Sequence, residues 1–239
     1  ALNLRRGTLV IGLVGLVLTS TRGLMVASAI FMIDIFFNVR HVPFRKLVFN
    51  SVKTLKYYAP ALLIFFAYNL YHYLVKGWIG YHEESPWAEC FQVVGFSGFL
   101  YNIGILGWRL FDFGRIFLWL AVAVIVIRKF RSVYTDRKAV QLIVIVLLFL
   151  VNLSISFTIY KTVNAHRYIL PVYLAFALLA GYLIFEIIRS EKIKYSVFAL
   201  VIAGLLTGHF WIYPEKISQG WDASLAHLPY YGLRKEMLQ

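Results

Sequence analysis

The chain has 239 residues, of which 61% are hydrophobic and 15% charged, and a formal net charge of +13; its mean hydropathy is +0.73. A soluble domain carries about 25% charged residues, and several apolar runs here approach or exceed the roughly 18 residues of a bilayer span, so a soluble fold is excluded in favour of an integral membrane protein. One cysteine, Cys90, excludes an intrachain disulfide and leaves the redox compartment unread.

The opening ALNLRRG has no initiator Met and no signal-peptide pattern, which predicts a start in mid-protein. Seven apolar segments follow, at 8–20, 24–38, 57–75, 111–127, 139–160, 168–188 and 195–213. All are predicted as helices, because irregular backbone is not tolerated against lipid. The expected fold class is therefore all-α, a polytopic membrane protein with about seven spanning or partly spanning helices. The transmembrane domain covers 1–213, with an outer loop at 76–110 and an extracytoplasmic tail at 214–239.

Charge orients the segments. Arg5 and Arg6 precede the first. Arg40, Arg45, Lys46, Lys53 and Lys56 lie between the second and third, and Arg128, Lys129, Arg131, Arg137 and Lys138 between the fourth and fifth. Arg189, Lys192 and Lys194 separate the sixth and seventh, which places 15 of the 24 Lys and Arg on one side. The positive-inside rule makes that side cytoplasmic. The basic balance is then a matter of topology, and no nucleic-acid partner is expected. Most acids, including Glu83, Glu84, Glu89 and Asp112, fall on the outer side.

The first two segments are short for a span. With TSTRG between them they predict a hairpin that places Arg22 below the outer surface and breaks at Gly23. Arg22 then lines a polar cavity or snorkels to the interface. The outer loop reads as a surface loop through GWIGYHEESPWAEC. Its Gly-rich, apolar second half, FSGFLYNIGILGW, lies along the membrane or re-enters it.

The sixth segment opens with NAHRYILP, residues 164–171. Pro171 suits a first helical turn, where its missing N–H costs nothing. Unpaired N–H groups and the helix dipole favour an anion there, and the Arg167 guanidinium matches phosphate geometry. His166 adds a further donor. The alternative for Arg167 and Tyr168 is an interfacial anchor.

Other candidates are weaker. Glu83, Glu84, Glu89 and His82 are bases, metal ligands, acceptor contacts or merely solvated loop groups. Asp112 lies between Arg109 and Arg115 in RLFDFGR, as a local ion pair or with Arg115 facing a lipid phosphate. Asn69 and His72 share a helix face and line a cavity or bond to neighbouring helices. Asn152 is a helix–helix contact, and Asp34 is paired or hydrated. No P-loop, Rossmann glycine pattern, HExxH or nucleophile elbow is present.

NAHRYILPVYLAFALLAGYLI resembles the RYLLP-type segment of GT-C membrane glycosyltransferases, in the group of bacterial protein O-mannosyltransferase and aminoarabinose-transferase-like enzymes. LVIGLVGLVLTSTRGLMVASAIFMI is similar to the GLxxGLxxLTKxxG hairpin of that group, with Arg22 at its basic position. The two stretches stand in the family's order and on consistent sides. The resemblance implies a polyprenyl-phosphate-linked sugar as donor and inverting transfer to a hydroxyl of an acceptor protein, lipid or glycan. It places the site on the periplasmic or exterior face of a bacterial cytoplasmic (inner) membrane. It further implies phosphate contacts from Arg167 and Arg22, with His166 and Tyr168 lining the donor site, and leaves room for a divalent metal without assigning a ligand. The family's catalytic carboxylate follows its first span. Nothing here precedes the hairpin, so that base is expected N-terminal to Ala1 and this chain is expected to be a C-terminal portion. A polyprenyl-diphosphate glycan polymerase or ligase, or a non-enzymatic lipid-binding or transport protein, are the rival readings.

Overall fold

A computed structural model describes residues 6–19, 21–39, 46, 52–80, 82–86, 88–161, 165–211, 234, 235 and 237; of residues 21, 22, 38 and 39 it describes the backbone only. Asn164 and most of the tail 214–239 lie outside the described residues. Regular structure among the described residues is helical, apart from one isolated antiparallel bridge between Val93 and Tyr160. The helices are α1 (Arg6–Thr19), α2 (Thr21–Val39), α3 (Ala59–Lys76), α4 (Phe96–Phe111), α5 (Arg115–Arg128), α6 (Phe130–Thr135), α7 (Arg137–Ile159), α8 (Leu170–Tyr182, continued by a π-helical turn Leu183–Ile187) and α9 (Glu191–Thr207).

Each of the seven apolar segments becomes a helix. By length and composition three are able to cross a membrane, Arg137–Ile159, Leu170–Ile187 and Glu191–Phe210, or up to four if α4 and α5 form one bent span. The helix α3 is long enough at 18 residues, but Asn69, His72 and three tyrosines dilute its apolar character.

Two expectations change. Gly23 does not break the α1–α2 hairpin, because α2 already starts at Thr21. Instead a Cβ at Gly23 would collide with the Leu16 carbonyl, so this glycine lets the two helices touch. The outer loop ends at residue 95 rather than 110, and FSGFLYNIGILGWRLF forms α4. Its glycines are tolerated because α4 buries a stripe of Asn102, Leu106, Arg109 and Leu110. Phe96, Leu100, Tyr101, Ile103, Trp108 and Phe111 stay exposed. The axes of α4 and α5 meet at 82° across the short break 112–114.

The core centres on α7 and α8. One apolar cluster joins Val122 and Ile125 of α5, Val146 of α7, and Phe176, Leu183 and Ile184 of α8. A second joins Leu106 and Leu110 of α4 to Leu153 and Phe157 of α7 and to Ile169 and Val172. Trp119 stacks on Phe176 with centroids 4.0 Å apart. Burying one such aromatic side chain contributes about 1.5–3 kcal/mol. A third cluster packs Leu13, Val17, Ala27, Tyr58 and Ala61.

Polar ties hold the helix ends. Asp34 accepts from Arg6 at 3.0 Å and from the Tyr58 hydroxyl at 3.3 Å, joining α1, α2 and the start of α3. Asn152 meets Ser28 at 3.0 Å between α7 and α2, the helix–helix contact expected of it. Asn102 donates to the Thr158 and Tyr160 carbonyls at 3.0 and 2.9 Å and so clamps the end of α7 to α4.

Candidate functional site

The sharp turn between α4 and α5 builds the site. Phe113 and Gly114 have φ of 49° and 77°. Left-handed backbone is uncommon for a bulky side chain and is retained only where the surroundings enforce it. Here α9 enforces it. A Cβ at Gly114 would collide with the Gly204 carbonyl, and one at Gly208 with the Phe113 carbonyl. A Cβ at Gly204 would likewise strike the Phe117 ring. Gly204 and Gly208, four residues apart, form the small-residue face that lets two helices approach this closely.

The turn aims Asp112 inward, where its side chain is 1% exposed. Arg109 Nη1 lies 3.3 Å from Oδ2, and Arg115 Nη2 contacts Oδ1. His166, from the lip of α8, places Nε2 2.8 Å from Oδ1 and 2.9 Å from Oδ2. The Tyr173 hydroxyl donates to the Arg109 carbonyl at 2.7 Å. The Arg115 guanidinium lies 4.4 Å over the Tyr173 ring, and the Phe113 ring edges His166 at 5.0 Å. Two guanidiniums around one carboxylate leave a net positive charge in a nearly closed space, where charge–charge energies are several-fold larger than in water.

Burial pushes the His166 pKa below its ordinary value; Asp112 pulls it the other way, while Arg115 and Arg109 oppose Asp112. The imidazole is therefore neutral near pH 7. A carboxylate only accepts, so the proton resides on Nε2 and Nδ1 presents a lone pair. In that tautomer Nε2 donates to Asp112 and the unpartnered nitrogen of His166 is an acceptor. Nδ1 of His166 and Nε of Arg115 are both buried with no hydrogen-bond partner among the described residues.

The other expected residues separate. Arg167 is exposed, its guanidinium 5.4 Å from the Tyr168 ring centroid. Tyr168 is half-buried against the second apolar cluster. Arg22 stands in the first turn of α2, and its side chain lies outside the described residues. Asn69 donates to the Phe65 carbonyl of its own helix at 2.8 Å. His72 lies 3.0 Å from the Trp78 carbonyl and edges the Trp78 ring. Both are thus held locally rather than by a neighbouring helix. Glu83 and Glu84 are exposed, and Glu89 reaches only a loose contact with Lys161 at 3.8 Å. No group of three metal-ligating side chains is assembled among the described residues.

The local ion pair expected at Asp112 is present, but its link to His166 spans 54 positions and has no local signal. Tyr173 was missed as well. It follows His166 by seven residues, but His166 lies in a separate 3₁₀ turn before α8, so helical spacing alone does not bring the two together. The GLLTG pattern at 204–208 marks the glycine contact. Searches of protein-family models, curated proteins and solved structures find no match to the chain.

Proposed function

We propose that the chain is the membrane part of a GT-C-type glycosyltransferase, with about seven helices in the bilayer of a bacterial cell envelope. It takes a sugar from a polyprenyl-phosphate donor on the extracytoplasmic side and passes it, with inversion, to an acceptor hydroxyl. One observation carries the reading. At the N-terminal lip of α8, exposed Arg167 follows His166, which meets two arginines sharing one buried carboxylate. The resemblance of NAHRYILP and of the Arg22 hairpin to that family adds to it.

The chemistry fits this charge arrangement. As the sugar–phosphate bond breaks, negative charge grows on the departing lipid phosphate, and preorganised cations stabilise that charge. Asp112 fixes Arg109 and Arg115 so that little reorganisation is needed, and Arg167 meets the headgroup at the surface. The apolar flank of α4 offers a bed for an isoprenoid chain.

The test uses Arg167→Gln. Because Arg167 is exposed, the variant keeps the thermal midpoint of the parent in detergent. Affinity for polyprenyl phosphate falls about tenfold, the scale of one lost charge-assisted hydrogen bond. Unchanged affinity would return Arg167 to the role of an interfacial anchor. A natural gene product that binds the lipid but transfers no sugar to any acceptor would replace the enzyme with a lipid-binding or transport protein.

A further inference from the structure

The two unpartnered atoms of the cluster point to something besides an anion. His166 is 6% exposed, and its Nδ1 has no hydrogen-bond partner among the described residues. Asp112 takes the Nε2 proton on both carboxylate oxygens, and burial favours the neutral imidazole, in which Nδ1 is an acceptor. Arg115 Nε is a donor, also buried and unpartnered. Both side chains rest on the same oxygen, Oδ1 of Asp112, and both lie against the Tyr173 ring, at 4.4 Å and 6.5 Å.

A phosphodiester oxygen suits Arg115 but not His166. It has no proton to donate, and its charge would face the imidazole lone pair. A buried acceptor left unmatched is costly. A hydroxyl suits either atom, because it donates and accepts. A sugar attached to the phosphate carries hydroxyls within a few bonds of it.

We infer that His166 Nδ1 accepts a hydrogen bond from a hydroxyl of the donor's sugar, with Arg115 Nε donating to that oxygen or its neighbour. The outer lip of α8 then reads the sugar as well as the phosphate. This inference rests on the glycosyltransferase reading above. It makes His166 a selectivity residue, not a phosphate ligand.

The experiment compares binding of polyprenyl-phosphate hexoses with bare polyprenyl phosphate, for the parent protein and for His166→Gln. It is run at pH 8, where the bare monoester has lost its second proton (pKa about 6) and offers no O–H. Glutamine still donates to Asp112 but has no acceptor at the Nδ1 position. The expected result is an about fivefold loss for the best-bound hexose lipid, one hydrogen bond's worth, and under about twofold for the bare lipid. Equal loss for both, or loss for neither, overturns the inference; the latter outcome means that the two atoms hold only a bound water. If His166→Gln does not fold, the parent protein is tested with monodeoxy hexose lipids. One deoxy position must then lose about fivefold, and none doing so overturns the inference. A parent protein that binds no polyprenyl-phosphate lipid sinks the glycosyltransferase reading and this inference together. One that binds both lipids with discrimination unchanged in the variant sinks this inference alone.

Discussion

The two ends of α8, of which charge counting predicts the His166 end to be outer and the Tyr182 end inner, are each tied to a neighbouring helix through an aspartate, and the ties differ in kind. At the inner end the Tyr182 hydroxyl donates to both oxygens of Asp136 at 3.1 Å. Asp136 also caps α7 by accepting from the Ala139 N–H at 2.8 Å. These donors are neutral, and Asp136 is half-buried. At the outer end Asp112 is buried beneath two arginines and a histidine. A capping aspartate needs only neutral donors and some water. A buried aspartate that gathers two guanidiniums holds more cationic charge than it neutralises. Among the described residues that excess of cations over anions, and not the presence of an aspartate, distinguishes the Asp112 cluster from the clasp at Asp136.

The comparison is broken most directly by removing each charge. Asp112→Asn leaves the buried Arg109 and part-buried Arg115 guanidiniums without their counter-charge and should cost about 3–5 kcal/mol. Asp136→Asn keeps an acceptor oxygen at the cap and should cost under about 1 kcal/mol. Thermal unfolding of both variants in the same detergent measures the difference. Equal losses would mean that the outer cluster is as well hydrated as the inner one.

The turn that supports the outer aspartate comes next in size. Gly114→Ala adds a Cβ at φ 77° against the Gly204 carbonyl and should cost about 1–3 kcal/mol through strain and overpacking. It should also weaken lipid-phosphate binding, since Asp112 and Arg115 flank the turn. Loss of stability with full binding would show that the cluster survives without the bend.

The smallest expected effect is a pH dependence confined to the outer end. His166 has its pKa lowered by burial from the ordinary 6.5. Below about pH 6.5 the unfolded chain takes up a proton that the folded chain refuses, so stability falls as pH drops from 6.5 towards the folded value. Above that range His166 makes no pH-dependent contribution. The thermal midpoint of the parent should therefore decline more between pH 7 and 5 than that of His166→Gln. Parallel declines would mean that His166 titrates as an ordinary histidine.

Local pattern determined much of this molecule. The apolar segments set where helices form, because each residue type reports its own preference for lipid or water. The Arg109–Asp112–Arg115 triplet followed from position alone, since i and i+3 neighbours share a helical face or turn. Pro171 marked the start of α8 for the same local reason. The tertiary structure decided the rest. That FSGFLYNIGILGWRLF is a helix at 82° to its successor depends on the buried stripe finding α7, which no window of the sequence contains. That Gly23 and Gly114 permit contact depends on backbone brought from Leu16 and Gly204. That His166 faces Asp112, and hence carries its proton on Nε2, depends on two helix ends 54 residues apart meeting in space. Propensity and hydropathy are properties of neighbours along the chain; a tautomer, a buried charge and a glycine contact are properties of neighbours in space.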